Sequence, residues 1–418
     1  MTGALAHADF LERARQERER DDIAASRVAL GGYLVARLIN RWLTLADTPR
    51  EYEAFEWQRS STRRYVWELD QDRAETRLLR SVLDALDGDS NSRVAACRMA
   101  LTAYAYFLEH EGRLAEALQI VTLAAQTYGD AIPAPDFTSL ALFMGRLNRL
   151  QAQWETANNA YAAAEESARA LGDRVSAFRS QLGRANVLRG QGNLPRAREL
   201  VEQVIANASG EDCAEVRSGA YADLAAIFER QQLPEDALRA NYEAVRLSRD
   251  PLNQMRLLGD LGVKLSTLGY LNEARTAFEV VVASDASFLV RANAVLELMQ
   301  VESIVGNRVA FERHRQAVSA DVSRMSPSMV VDYRYKVGLG FARFGITRRA
   351  REEWQQALAL AERHRLNDWY FRIESALANL EECEEQGVQQ PAPEPADPPA
   401  WMAGVSAGLR EFAEALAH

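Results

Sequence analysis

Lysine is nearly missing from this chain. Only Lys264 and Lys336 stand among its 49 basic residues, so 47 are arginines. That skew matches the codon bias of a GC-rich bacterial genome. Cysteine is just as sparse: Cys97, Cys213 and Cys383 sit far apart, with no CxxC. An odd, scattered set fits a reducing compartment and excludes a disulfide framework. The five histidines, His7, His110, His314, His364 and His418, have no partners at metal-ligand or nucleophile spacing. HExxH, GxSxG and phosphate-loop motifs are all lacking. Gly338-Leu-Gly340 follows no strand signal, so it is not a dinucleotide fingerprint. No catalytic residue, metal site or cofactor is therefore expected, and the role expected is non-enzymatic. No run reaches the ~18 apolar residues of a membrane helix; Ala29 to Ala36 is cut off by Arg27 and Arg37. The first 22 residues carry no apolar core of signal-peptide length. A cytoplasmic protein with no membrane contact is the expectation. Positive charge is also in deficit. The net charge of the 418 residues is −10, which argues against nucleic acid as a partner held through its phosphates.

Helical periodicity, by contrast, runs through the chain. Val28, Leu34, Leu38, Trp42 and Leu45 share one face at spacings of three and four. Further apolar sets follow at Tyr52, Phe55, Tyr65, Val66 and Leu69, and at Leu78, Val82 and Leu86. Residues 1–90 read as an N-terminal helical bundle, closed by the turn chemistry of Gly88 to Asn91. Its basic cluster Arg59, Arg63 and Arg64 reads as a solvated face.

From Ser92 a repeat takes over. Anchor alanines recur at Ala117, Ala157, Ala197, Ala237, Ala274 and Ala350, with Phe311 in one degenerate place. The gaps are 40, 40, 40, 37, 37 and 39 residues. Twelve positions earlier stand Ala105, Gly145, Ala185, Ala225, Gly262, Met299 and Gly338. Two antiparallel helices approach closely only where side chains are small, and a large neighbour then fills the gap. Such neighbours, Tyr161, Phe278 and Trp354, come four residues after the anchor. Gly112, Gly192, Gly269, Gly306 and Gly345 fall five before it, where a first helix must stop in a left-handed turn.

This pattern resembles the tetratricopeptide repeat, which has a small residue at position 8, Ala at 20, a large one at 24 and a small one at 27. The period exceeds that family's common ~34 residues. It is more like the elongated form in bacterial maltose-type activators, peptide-pheromone receptors and arrays fused to CHAT proteases. The resemblance implies an all-α fold, a right-handed α-solenoid of helical hairpins behind the N-terminal bundle. Seven units and a capping helix would occupy residues 92–386. The unit with Met299 and Phe311 departs from the pattern and is the expected bend or weak point.

In this family the first helices line a concave groove through positions 2, 5, 9 and 12. Carried over, these are Ser139, Leu142, Arg146 and Arg149 in one unit, and Arg179, Leu182, Asn186 and Arg189 in the next. Arginine forks suit carboxylates, and asparagine both donates to and accepts from a peptide backbone. Arg146, Arg149, Arg179, Leu182, Asn186 and Arg189 are thus the candidate binding residues. The implied partner is a protein or peptide, acidic or offering its C-terminal segment.

Residues 387–400 hold five of the 12 prolines and read as an extended linker. Residues 401–418 form an amphipathic helix with Val405, Leu409, Phe412 and Leu416 on one stripe. A helix on a spacer must dock somewhere, and a contact in trans, with a partner or a second copy, is expected. The function expected is an adaptor or sensor holding a partner's peptide segment. The alternatives are a structural or oligomerising subunit, a homo-oligomer among them, or a regulatory component of a signalling or defence system.

Overall fold

The computed structural model describes residues 6–45, 48–88, 92–129, 132–386 and 398–417. Most of the proline-rich linker, 387–397, lies outside the described residues, as do the side chains of Leu416 and Cys383. Among the described residues the structure is α-helical, with no strand. The chain divides into two compact units, Met1–Leu200 and Val201–His418, described in turn.

The first unit opens with α1 (Ala8–Glu19), α2 (Ile23–Leu43), α3 (Pro49–Trp67) and α4 (Ala74–Leu86). Two hairpins follow: α5 (Arg93–His110) with α6 (Leu114–Gln126), and α7 (Ala134–Leu150) with α8 (Trp154–Leu171). Next comes α9 (Arg174–Gly190), and α10 (Leu194–Asn207) runs across the division. One apolar core runs from Phe10 on α1 through Leu38, Leu83 and Tyr104 to Phe143 on α7. The first four helices therefore share their interior with the first hairpin. A buried ionic knot reinforces the seam. Arg113 Nη1 donates to Glu75 at 2.6 Å, Arg113 Nε to Glu116 at 2.9 Å, and the Tyr104 hydroxyl to Glu75 at 2.7 Å. Burial first, and the Glu75 carboxylate second, push the Tyr104 hydroxyl well above its ordinary pKa. Removing one partner from such a knot would leave a buried charge uncompensated. α5 is thus held firmly from below.

Of the basic cluster Arg64 is exposed, while Arg59 and Arg63 on α3 are half-buried and pair with Asp84 on α4 and Asp87 at its end. Cys97 and Cys213 are buried, and burial pushes the Cys97 thiol up to about 12.

The second unit continues with α11 (Ala214–Arg230) and α12 (Pro234–Leu247), then α13 (Pro251–Thr267) and α14 (Leu271–Ala283). Two more hairpins are α15 (Phe288–Ile304) with α16 (Arg308–Ala320), and α17 (Pro327–Arg343) with α18 (Thr347–Arg363). A lone α19 (Asn367–Gln386) covers α18, and α20 (Met402–Ala417) ends the chain. In both units first helices touch the next first helix, α7 with α9 and α13 with α15, as a helical-repeat array requires.

The spacing rule has a direct steric basis. The anchors Ala117, Ala157, Ala274 and Ala350 are fully buried. A Cβ placed on Gly145 would meet the Tyr161 ring at 2.9 Å, one on Gly262 the Phe278 ring at 2.6 Å, and one on Gly338 the Trp354 ring at 2.3 Å. Each large residue four past the anchor fills the hollow left by its own hairpin's glycine. The turns follow suit. Gly112, Gly192, Gly269, Gly306 and Gly345 have φ between 71° and 86°. The amide just past the left-handed glycine closes back on the helix, as Asn193 N to Leu188 O at 2.9 Å. Two hairpins lack the glycine and force Ala152 (φ 57°) and Gln232 (φ 60°) into the same left-handed turn.

The tail corrects an expectation. α20 docks within its own chain, along the outer side of the second helices α12 and α14. Met402, Val405 and Leu409 are buried there, and Phe412 is half-buried. The Tyr242 hydroxyl donates to the Gly404 carbonyl at 2.9 Å, and Ser406 Oγ donates to Glu273 at 2.9 Å. Gly408 lets the helix close on Tyr242, since a Cβ there would come within 2.2 Å of the hydroxyl. The described part of the stripe, Val405, Leu409 and Phe412, packs in cis and does not require a second molecule.

Candidate functional site

The two first helices α7 and α9 stand side by side in the first unit. Their starts differ. Pro133 precedes α7, while Asp173 caps α9 by accepting from the Ser176 amide at 3.0 Å. The Ser176 hydroxyl and amide, with Arg179 behind them, hold the Asp173 carboxyl below its ordinary value. Gly183 on α9 gives the close approach: a Cβ there would fall 2.3 Å from Tyr161. Tyr161 is therefore wedged between Gly145 and Gly183, and it sets the distance between the two helices.

That distance leaves a cavity of about 440 Å³. Ser139, Leu142, Arg146 and Arg149 line it from α7, and Ser176, Arg179, Leu182 and Asn186 from α9. Five of the six groove candidates thus border one space. Arg189 does not; it lies half-buried in the last turn of α9.

The arginines are not equivalent. Arg146 reaches back to Glu109 on α5, with Nε to Oε1 and Nη2 to Oε2 both at 2.7 Å. Only the Nη2 contact has hydrogen-bond geometry; Nε is held at ion-pair distance, so Glu109 engages this edge of the guanidinium chiefly through charge. Arg146 also lies over an aromatic shelf in which Tyr106 and Phe143 stack at 4.3 Å. Arg149 is half-buried, and its Nε is shielded from solvent with no acceptor among the described residues. Arg179 is exposed. The floor is apolar: Leu182 is buried and Leu142 half-buried.

Two contributors were missed in the sequence, Tyr106 and Glu109. They occupy positions 9 and 12 of the preceding unit, eleven and eight residues before Ala117. The register that gave the other residues would have given these, had it been extended one repeat back.

No family model matches this chain, and no curated protein matches it. Solved structures do resemble it. The apo form of the quorum sensor NprR from B. thuringiensis aligns over 84% of this chain and 95% of its own, at 13% identity and a TM-score of 0.50. The fold is that of a helical-repeat protein. A Rap protein complexed with Competence and Sporulation Factor aligns over 84% of this chain and 99% of its own, at 10% identity and a TM-score of 0.44. The anaphase-promoting-complex assembly Cut9-Hcn1 spans 97% of this chain and 72% of its own, at 13% identity and a TM-score of 0.44. At such identities the likeness speaks for fold alone.

Proposed function

We propose that this protein is a non-enzymatic, cytoplasmic adaptor or sensor that binds a peptide segment of a partner between α7 and α9. The observation that carries this is the 440 Å³ cavity, which joins arginines, an amide and leucines on two adjacent first helices. Arg149 and Arg179 supply charge for a carboxylate, Asn186 suits a peptide backbone, and Leu142 and Leu182 take an apolar side chain. NprR, named a quorum sensor, shares the fold, and its name agrees with this reading without carrying it. α20, docked on its own chain, adds no support to the oligomerising alternative.

The test is selection against a random peptide library displayed with free C-termini. Wild type should enrich acidic or C-terminal carboxylate sequences, and binding should weaken with salt. Arg149→Glu with Arg179→Glu removes two charge-assisted contacts, each worth ~1.5–3 kcal/mol. Affinity should fall by about 100-fold or more, with the melting curve nearly unchanged. Equal affinity in this double variant would remove the peptide site from this cavity.

A further inference from the structure

Resting on that reading, we infer that Glu109 sets the specificity of the cavity by fixing how many acidic groups its ligand can carry. Glu109 is the only carboxylate in two-point contact with a cavity arginine among the described residues. Its side chain is 12% exposed, whereas that of Arg146 is 43% exposed. The carboxylate is thus the sheltered partner and the guanidinium the presented one. α5 is locked by the Arg113 knot, so Glu109 is carried on a rigid support.

The arrangement has a chemical consequence. Glu109 holds Arg146 as a ligand carboxylate would, from the direction of α5 rather than from the cavity. It lowers the positive charge around the cavity by one and engages one edge of Arg146. A ligand acid can then be met by Arg149 and Arg179 but not by Arg146, whose charge Glu109 already balances. Against Arg146 the ligand meets a paired, flat, partly aromatic surface formed with Tyr106 and Phe143. Such a surface favours an apolar or aromatic side chain over a second acid. The ligand class that fits is a peptide with one carboxylate at the Arg149–Arg179 end and an apolar residue toward α5.

The experiment uses the full-length protein and the same displayed library, read as the mean number of acidic groups per enriched peptide. Wild type should select one. Glu109→Gln keeps size and a hydrogen bond to Arg146 while freeing its charge, and it should shift selection toward two. Synthetic peptides with a second acid should then bind Glu109→Gln about tenfold more tightly than they bind wild type. Arg146→Gln gives the opposite sign: it leaves the Glu109 charge behind the cavity unbalanced, and acidic peptides should lose affinity. These opposite shifts separate a specificity role from simple loss of packing, which would weaken all peptides in both variants. Wild-type enrichment with an unchanged acid count in both variants overturns the role of Glu109 and leaves the peptide site standing. Failure of every version to enrich any peptide overturns both.

Discussion

Two neighbouring hairpins, α13–α14 and α15–α16, meet the same packing demand with opposite placements. In α13–α14 the anchor is Ala274, and the ring four residues on, Phe278, closes on Gly262 inside the hairpin. In α15–α16 the ring is the anchor itself, Phe311, and the position four residues on is Arg315. Met299 has replaced the small residue of the first helix, so the hairpin has no hollow of its own. Phe311 is nevertheless fully buried. It faces forward onto α17, where a Cβ on Gly340 would lie 2.2 Å from it, and it packs edge-on against Phe341 and Phe344. Each of these two rings sits against a glycine. Whether that glycine lies in the same hairpin or the next is open to variation.

The largest effects should come from deleting the two rings. Phe278→Ala and Phe311→Ala should each destabilise the protein by about 3–5 kcal/mol, the usual cost of a buried aromatic. Denaturant melts measure the loss, and hydrogen exchange locates it, in α13–α14 for the first and in α16–α17 for the second. A cost for Phe311→Ala several-fold below that for Phe278→Ala would break the equivalence and make α15–α16 a weak joint.

A smaller effect sharpens the contrast from the outer side. α14 carries α20, whereas α20 makes no described packing on α16. Leu409→Asp places a charge at a site 1% exposed and forfeits ~1.5–3 kcal/mol of burial. Exchange protection should be lost along α20 and on α14, with α15–α16 unchanged. Loss of protection throughout the unit would show that α20 is integral to the array rather than applied to it.

The smallest effects concern the turns. Gly306→Ala in α15–α16 should cost about 1 kcal/mol, and Ala152→Gly and Gln232→Gly should gain ~0.5–1 kcal/mol, since a left-handed φ penalises any Cβ. Melting temperatures report both signs. Uniform destabilisation by all three would mean that the turns are held by more than φ.

Much of this fold could be read from the sequence because steric exclusion leaves few substitutes. Only Gly fits opposite Tyr161, Phe278 and Trp354, so the hairpin register appears as bare arithmetic. The degenerate hairpin was visible as an exception, but its remedy was not. Gly338-Leu-Gly340 read as a helix-packing position, but the ring that packs on Gly340, Phe311, comes from the preceding hairpin and had no spacing to reveal it. The cavity arginines followed from register. Their inequality did not, because Glu109 and Arg146 lie 37 residues apart and a charged pair leaves no spacing signature. The stripe of α20 was plain, but its seat was not. Any apolar outer face could have received it, and Tyr242 gains its meaning only opposite Gly404 and Gly408.

The seat of α20 also bears on how the chain is made. The hairpins join helices that are adjacent in sequence, so each can close soon after it is synthesised. Tyr242 and Gly404 are 162 residues apart. At synthesis rates of ~5–20 residues per second, roughly 8–32 s separate the two. Throughout that interval the outer side of α12 and α14 stands open, with its apolar surface unprotected against association with other nascent chains. α20 closes it once that helix has been made.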